Sequence, residues 1–276
     1  MCMRRALAGL LGLLLLALGV AACGGDDDSG GGGVASKPSE PEMKGADTGA
    51  SIDVQAPSEG AAISANSVRT RLAISNFDVD CRLAGTPNRS GVGHYHIELD
   101  GSLVNMYCRP EALISLQNVE PGRHELEILP ATDDHTDDFG AEKKVAFMYE
   151  PARKLPEITP EETAGKPSIR IVSPAPGSTV RGSFDLKVAP SNFEFSCALY
   201  GKKNVAGYGH WHANVDSTSK GMMGMGTMLG MSCARSFHVS LAGIKAGPHR
   251  FFAILEDNQH APTPKAQDSV RLNVAR

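Results

Sequence analysis

Histidines recur in this chain in a pattern that could hold a metal ion. Nine histidines occur among 276 residues, and eight of them fall into two sets of four in the same order. Two residues that are two positions apart on a β-strand share one face and lie about 6.6 Å apart. A His-x-His pair on a strand can therefore bind one ion, with further ligands from neighbouring turns and loops. The predicted ligands are His94, His96, His124 and His135 in the first set, and His210, His212, His249 and His260 in the second.

Methionines suggest which metal to test first. Imidazole nitrogen suits zinc, copper, nickel and iron, so histidine alone does not identify the ion. Met106 and Met231 occupy matching positions in the two sets, and Met231 ends a methionine-rich segment, residues 221–231. Thioether sulfur is a soft ligand that favours Cu(I). Copper is therefore the first candidate, and Met106 and Met231 join the predicted ligands.

Plainer interpretations of the same residues stay open. Histidines on the surface of a β-sandwich commonly face water or hydrogen-bond within a turn. His124 shares a strand face with Leu126 and Ile128, which also fits a buried histidine with an ordinary hydrogen-bond partner. A duplicated domain copies idle residues as well as working ones, and the methionine-rich segment fits a soft contact surface.

An internal repeat organises the chain. Ser75-Asn76-Phe77 recurs 116 residues later as Ser191-Asn192-Phe193, and the glycine- and histidine-rich segment 91–96 recurs as 207–212. A nine-residue insertion in the second copy then changes the offset to 125. The repeat predicts two homologous domains, residues 51–150 and 167–276, joined by a Pro/Glu/Lys-rich linker, residues 151–166.

The cysteines are predicted to form one disulfide within each copy. The repeat matches Cys81 with Cys197 and Cys108 with Cys233, so the natural pairs are Cys81–Cys108 and Cys197–Cys233. Cysteine ligation of a metal is the rival interpretation, but thiols rarely stay reduced outside the cell.

Each copy is predicted to be an all-β immunoglobulin-like sandwich, with a barrel as the alternative. In the second copy about seven short strands fit into roughly 100 residues, and no window has a convincing helical period. Alternation along the His-x-His strands should turn Tyr95 and Trp211 to the core and the histidines to the other face. The strands predicted in the second copy are Ser168–Val172, Phe184–Val188, Phe193–Cys197, His210–Val215, His238–Leu241, Arg250–Leu255 and Ser269–Val274.

Both copies resemble a bacterial domain family of unknown function found in exported and lipid-anchored proteins. The second copy carries the motifs: an opening Ile-x-x-Ser-Pro-x-x-Gly-type segment at 171–177, a Gly-His-x-His-x-x-x-Asp strand at 209–216, and a closing Gly-x-His and Asp-x-x-His-x-Pro at 247–249 and 257–262. The first copy keeps the four histidines but lacks the final proline. The resemblance implies a sandwich fold and brings no known activity.

The N-terminal segment predicts a bacterial lipoprotein. Arg4 and Arg5 precede an apolar run of about 15 residues, too short to span a bilayer as a helix, and the segment ends at Val20-Ala21-Ala22-Cys23. This segment resembles the lipobox; an ordinary secretory signal is the alternative. Residues 1–22 are predicted to be removed, Cys23 to be lipidated with palmitate-type chains, and residues 23–50 to form a flexible tether. The folded part would then sit in the cell envelope, on the extracytoplasmic face of a membrane.

Charge and motifs narrow the function. Removal of the leader takes away Arg4 and Arg5, so the formal net charge becomes more negative than −4 by two units. This mild acidity argues against a nucleic-acid partner. The chain has no Gly-x-Ser-x-Gly, phosphate-binding glycine loop or His-Glu-x-x-His motif, so an enzyme is not expected. The leading hypothesis is a membrane-anchored binding lipoprotein that carries copper or another transition metal. The alternative is a structural or adhesive surface module that binds a protein or glycan.

Overall fold

The computed structural model describes residues 45–160, 165–220 and 222–276, without the side chains of Met222 and Met223. The predicted leader, the predicted lipidation site Cys23 and the predicted tether up to residue 44 lie outside the described residues. In the described ranges the chain forms eighteen strands and three short 3₁₀ helices, which confirms the all-β fold class. No helix in these ranges has the length and apolar character needed to cross a membrane.

The first copy is a sandwich of two sheets. One sheet has the order β1-β3-β7, and the other has the order β2-β9-β8-β5-β4, with β6 paired to β5. The β5–β8, β8–β9 and β5–β6 pairs are antiparallel, whereas β2–β9 and β4–β5 are parallel. A 3₁₀ turn, Cys81–Leu83, follows β4. The strands are β1 (Ser51–Ala56), β2 (Ala61–Ile63), β3 (Ser67–Ser75), β4 (Asp78–Val79), β5 (Val92–Leu99), β6 (Ser102–Tyr107), β7 (Glu111–Ser115), β8 (Gly122–Ala131) and β9 (Lys143–Tyr149).

The second copy repeats this topology. Its strands follow the order β10-β12-β11-β18-β17-β14-β13, with β15 paired to β14 and β16 paired to β12. A single residue pair, Arg181 and Ser183, joins β12 to β11 and so links the two sheets of the sandwich. The 3₁₀ turns are Cys197–Leu199 and Met222–Thr227, the second within the insertion. The strands are β10 (Ser168–Ser173), β11 (Thr179–Arg181), β12 (Ser183–Ser191), β13 (Glu194–Phe195), β14 (Tyr208–Val215), β15 (Met228–Ser232), β16 (Ser236–Ser240), β17 (Gly247–Glu256) and β18 (Pro262–Ala275).

The strands that were predicted in the second copy are present, with one shortened. Phe193–Cys197 gives only the two residues of β13, because Cys197 already begins a 3₁₀ turn. Sequence reasoning missed β11 and β15. β11 has only three residues, and β15 lies inside the methionine-rich segment, where glycines obscure the alternation.

Strand alternation turns the expected aromatic residues into each core. Tyr95 and Trp211 are both fully buried. The Tyr95 hydroxyl donates to the carbonyl oxygen of Arg109, and the Trp211 indole N–H donates to that of Ala234 at 2.8 Å. The two acceptors are equivalent in the repeat, so both copies satisfy a buried polar group in the same way.

The predicted disulfide pairing is confirmed. Cys81 is bonded to Cys108 and Cys197 to Cys233, with Cα–Cα distances of 5.3 and 5.2 Å. Each disulfide joins the 3₁₀ turn before the His-x-His strand to the end of the strand paired with it, β6 in the first copy and β15 in the second. The bond therefore limits movement beside the histidines.

Glycine precedes each His-x-His pair because no side chain fits there. A Cβ at Gly93 would lie 2.8 Å from the ring of Phe77 and against the carbonyl oxygen of Ala131. A Cβ at Gly209 would meet Phe193 at 2.7 Å and the carbonyl oxygen of Glu256. The repeated Ser-Asn-Phe and Gly-His-x-His motifs therefore pack on each other in both copies.

The two sandwiches lie within one compact unit, Lys44–Arg276, and contact each other reciprocally. A Cβ at Gly85 would lie 2.8 Å from the backbone of Met228, and one at Gly201 would lie 2.7 Å from the carbonyl oxygen of Leu103. Gly85 and Gly201 are equivalent in the repeat, as are Leu103 and Met228. The same surface of each copy is therefore used twice, as in an isologous contact.

Both ends of the first domain differ from the prediction. Residues 45–50 were expected to belong to the tether, yet Thr48 is buried, and its amide N–H and hydroxyl both donate to the carboxylate of Asp138, at 2.8 and 2.7 Å. The expected linker also packs on the first sandwich, since Asn118 donates to the carbonyl oxygen of Ile158 and accepts from its N–H. Hydrogen bonds to the first sandwich hold these segments, and composition alone cannot reveal such bonds.

Candidate metal centre

Three histidines of the first copy meet at one point. His94 and His96 extend from one face of β5, and His135 comes from the loop after β8. His94 Nε2 lies 3.1 Å from His96 Nε2 and 2.9 Å from His135 Nδ1, and the latter two atoms are 3.4 Å apart. Ligands held about 2.0–2.1 Å from one ion at tetrahedral angles would be about 3.4 Å apart. The triad therefore has close to the spacing of a three-nitrogen metal site.

The outer partners of two of these rings set which nitrogen carries the proton. His135 Nε2 lies 2.7 Å from the carbonyl oxygen of Met228, and His96 Nδ1 lies 2.7 Å from Asp137 Oδ1. A carbonyl or carboxylate oxygen can only accept, so both outer nitrogens carry the hydrogen. The inner nitrogens of His135 and His96 then present lone pairs to the centre of the triad, as metal ligation requires.

The second copy builds the same arrangement. His210 Nε2 lies 3.0 Å from His212 Nε2 and 2.9 Å from His260 Nδ1, and the latter two atoms are 3.3 Å apart. His260 Nε2 donates to the carbonyl oxygen of Leu103 at 2.8 Å. The His212 partner is weaker than its counterpart, since its Nδ1 lies 3.7 Å from Glu256 Oε1.

Both triads are held away from water. The six rings are at most 6% exposed. The histidine face predicted for each strand, opposite the core of its own sandwich, is present, and the other sandwich covers it. Nδ1 of His94 and of His210 are buried without a hydrogen-bond partner among the residues described.

Burial favours the neutral form of the two loop histidines and of His94, His210 and His212. Desolvation, with smaller contributions from neighbouring rings, holds the pKa of His94, His210 and His212 well below the usual value. Burial lowers the pKa of His135 to about 3 and that of His260 to about 4. Only a neutral imidazole has a lone pair for a metal, so at pH 7 no proton competes with the ion at these positions.

Carboxyl groups near the two triads differ. Asp137 accepts directly from His96. Burial raises the pKa of Glu256 to about 9, with the charge of neighbouring Asp257 as the second cause. The first triad thus has a carboxyl group in direct contact, whereas burial favours the neutral form of the carboxyl group near the second.

Each loop histidine is held by the other copy. His135 of the first copy bonds to Met228 of the second, and His260 of the second bonds to Leu103 of the first. Both histidines have positive φ, 62° and 63°, a conformation that is uncommon for residues other than glycine. Docking of the two sandwiches therefore fixes the orientation of one ring in each triad.

The two predicted methionine ligands lie beside the triads. Met106 on β6 pairs opposite His96, and Met231 on β15 pairs opposite His212. Directly opposed residues of an antiparallel pair have Cβ atoms about 4.5–5.5 Å apart on the same face. Both methionines are buried, at 9% and 8% exposure, so each thioether is in the neighbourhood of its triad.

The structure does not bring His124 and His249 to the triads, which corrects the prediction that they are ligands. His124 Nδ1 lies 2.7 Å from Asp100 Oδ2, and its Nε2 lies 2.8 Å from the carbonyl oxygen of Glu120. His249 has the equivalent partners Asp216 and Lys245. With both ring nitrogens engaged, these histidines brace the turn at the far end of β8 and β17.

Several residues around the triads were not singled out by sequence reasoning. Asp137 follows His135 by two residues, and this short spacing is the one signal that could have suggested a partner. Tyr200 lies over the second triad, with ring-centroid distances of 4.6 Å to His210 and 6.1 Å to His260. The carbonyl oxygens of Leu103 and Met228 carry no sequence signal, because any residue supplies one.

Comparisons with known proteins add no assignment. No family and no curated protein matches the chain. Solved structures with a similar chain trace include fibronectin(III)-like modules of Clostridium thermocellum CbhA (14% identity, 81% of this chain, 93% of that chain, TM-score 0.27). A biofilm-associated protein BSP domain (11%, 82%, 29%, TM-score 0.23) and the FN1–FN3 domains of chicken CNTN1 (10%, 80%, 65%, TM-score 0.22) are also similar. These TM-scores are low, so the sandwich fold rests on the strand pairing of the chain itself.

Proposed function

We propose that this chain is a non-enzymatic, lipid-anchored binding protein of the cell envelope that holds two transition-metal ions, one in each histidine triad. The observation that carries the metal proposal is the convergence of three buried ring nitrogens in each copy, with outer acceptors on two rings of the first triad that turn lone pairs inward. A cluster of buried imidazoles with no ion desolvates polar groups and gains few hydrogen bonds. A bound ion would give each ring nitrogen a partner.

Copper in its monovalent state is the first candidate. The donors within reach are uncharged, and the site is buried, so the desolvation cost matters. That cost rises with the square of the charge, which makes a monovalent ion about four times cheaper to bury than a divalent ion. The thioethers of Met106 and Met231 beside the triads favour the same ion.

Titration of the mature chain with Cu(I), Cu(II) and Zn(II) tests the proposal. We expect two equivalents of Cu(I) to bind, and X-ray absorption to show nitrogen ligands. The double variant His94→Gln/His210→Gln should lose both sites. The double variant His124→Gln/His249→Gln is the matched control, because it removes the same number of histidines outside the triads, and it should keep both.

Two results would contradict the proposal. One is millimolar-range affinity for all three ions in the unaltered protein. The other is equal loss of binding in the test and control double variants, which would indicate binding by scattered histidines.

The lipid anchor is tested separately. Mass spectrometry of the membrane-extracted protein should find a diacylated cysteine at position 23 as the first residue, and Cys23→Ser should release the protein from membranes. A mature protein that begins elsewhere, without lipid, would contradict the anchor and leave the metal proposal untouched.

A structural or adhesive surface module is the second candidate function. The observation that favours it is the pair of docked sandwiches, a layout that suits a spacer presenting loops to a protein or glycan. It predicts that the His94→Gln/His210→Gln protein keeps its cellular role, whereas shortening the methionine-rich segment abolishes it. The metal proposal predicts that the histidine variant loses that role.

A further inference from the structure

A cavity of about 560 Å³ lies between the two sandwiches. Residues from both copies line it, among them Ala84 and Met106 from the first, and Met231 and Phe237 from the second. Its size is in the range of cavities that admit small ligands, so it can admit a small hydrated ion.

The cavity reflects a difference between the two copies. Ala84 lines it, and the repeat places Ala84 at the position equivalent to Tyr200. In the second copy the phenol ring of Tyr200 is buried and lies at 4.6 Å over His210, edge to face, and parallel to His260. The first copy has only a methyl group at this position, so the first triad lacks the aromatic cover of the second.

Soft ligands connect the cavity to the first triad. Met106 lines the cavity and pairs across the strands with His96. Met231 also reaches the cavity and pairs with His212, but there the Tyr200 ring covers the other two histidines. In the part of the chain that the structure describes, the rings of the first triad make aromatic ring contacts only with one another. A Cu(I) ion in the cavity can therefore exchange from the Met106 thioether to these imidazoles.

We propose that this cavity is the exchange route for the first triad, that Met106 is the ligand which passes the ion to the histidines, and that Tyr200 closes the second triad. This inference rests on the proposed metal binding. The first site then loads and releases an ion readily, while the second holds its ion as a structural site does. Structural metal sites are closed around the ion, whereas catalytic sites keep an open position.

The test is a stopped-flow measurement of Cu(I) release from the loaded full chain to a Cu(I)-specific chelator. We expect two phases of one ion each, differing about tenfold or more in rate. The single variants His94→Gln and His210→Gln assign the phases, since the first should remove the fast phase and the second the slow one.

A reciprocal exchange of side chains then tests the cause. Ala84→Tyr should slow the fast phase towards the slow one, and Tyr200→Ala should accelerate the slow phase, with equilibrium affinities changed less than about threefold. Met106→Leu should slow only the fast phase. Met148→Leu is its matched control, because Met148 lies on β9 opposite Arg123 and outside the cavity, and it should leave both phases unchanged.

The outcomes separate the two proposals. Two bound ions released at one rate, insensitive to Ala84→Tyr and Tyr200→Ala, would overturn the route and leave metal binding intact. No bound ions would overturn both. Should Ala84→Tyr fail to fold, the opposite change Tyr200→Ala and the methionine pair still decide, because the first only removes atoms and a Met→Leu change keeps the number of side-chain heavy atoms.

Discussion

Acid should destabilise this fold through the buried loop histidines, and His135→Gln isolates one contribution. In the metal-free protein, burial lowers the pKa of His135 to about 3, whereas an unfolded chain has a histidine pKa near 6.5. Below pH 6.5 the unfolded state therefore binds a proton that the folded state does not bind. The stability that comes from a neutral His135 is full above pH 6.5 and is lost progressively as the pH falls towards 3.

The size of the effect follows from these two values. Each pH unit within that window costs about 1.4 kcal/mol for one proton. Between pH 6.5 and 4.5 the wild-type chain should lose about 3 kcal/mol that the glutamine variant does not lose. His260, with its pKa lowered to about 4, adds a similar contribution to the wild-type chain, so the total approaches the free energy of unfolding of a small domain.

Guanidinium unfolding of metal-free wild type and His135→Gln at pH 7.5 and 4.5 measures this difference. The gap between the two proteins should change by about 3 kcal/mol in favour of the variant at the lower pH. His238→Gln is the control, since His238 is exposed and bonds to Asp185, and it should track the wild type. A gap that stays constant with pH would refute the claim that His135 is buried as a neutral base.

Three further outcomes are expected. Lys202 is buried with its ammonium unpartnered within the described ranges, and desolvation lowers its pKa to about 8. Lys202→Met should raise the free energy of unfolding at pH 7 by up to about 3 kcal/mol, and this gain should vanish as the pH rises from 8 to 10.5. The control Lys203→Met should change the free energy of unfolding little. Gly201→Ala should destabilise the chain more than Gly91→Ala and should weaken metal binding at the second triad. Both glycines have positive φ, but only Gly201 faces the Leu103 carbonyl that holds His260. Equal changes in melting temperature and in metal affinity for the two variants would contradict reciprocal docking. Loading one site at a hundred times its Kd should raise unfolding free energy by about 2.7 kcal/mol, and a chelator should reverse this in a thermal melt; an unchanged melting temperature would argue against a bound ion.

The features that sequence reasoning could recover are local or repeated. Alternation alone put Tyr95 and Trp211 in the cores and both His-x-His pairs on the opposite faces, because a strand allows no other arrangement. The repeat gave the disulfide pairing, since a bond that copies with its domain must lie within it.

The features that sequence reasoning missed depend on strand register. His124 lies near the start of β8 and pairs with Phe147, whereas His94 pairs with Ala131 at the opposite end of β8. Seven residues of strand separate His124 from that end, about 24 Å, so it cannot reach the triad that His135 completes. Burial of the histidine face could not be predicted from the sequence either. The residues that cover this face belong to the other copy, and two of their contacts are made by main-chain carbonyl groups.

The reciprocal contact between the sandwiches has the form of a dimer interface enclosed in one polypeptide. Identical chains meeting through such a surface must carry the same residue at both equivalent positions, and their association weakens on dilution. Fusion removes both constraints: the halves stay together at any concentration, and alanine can stand at position 84 while tyrosine stands at 200. Duplication within one chain thus lets a symmetric scaffold carry different residues at equivalent positions, which a dimer of identical chains cannot do.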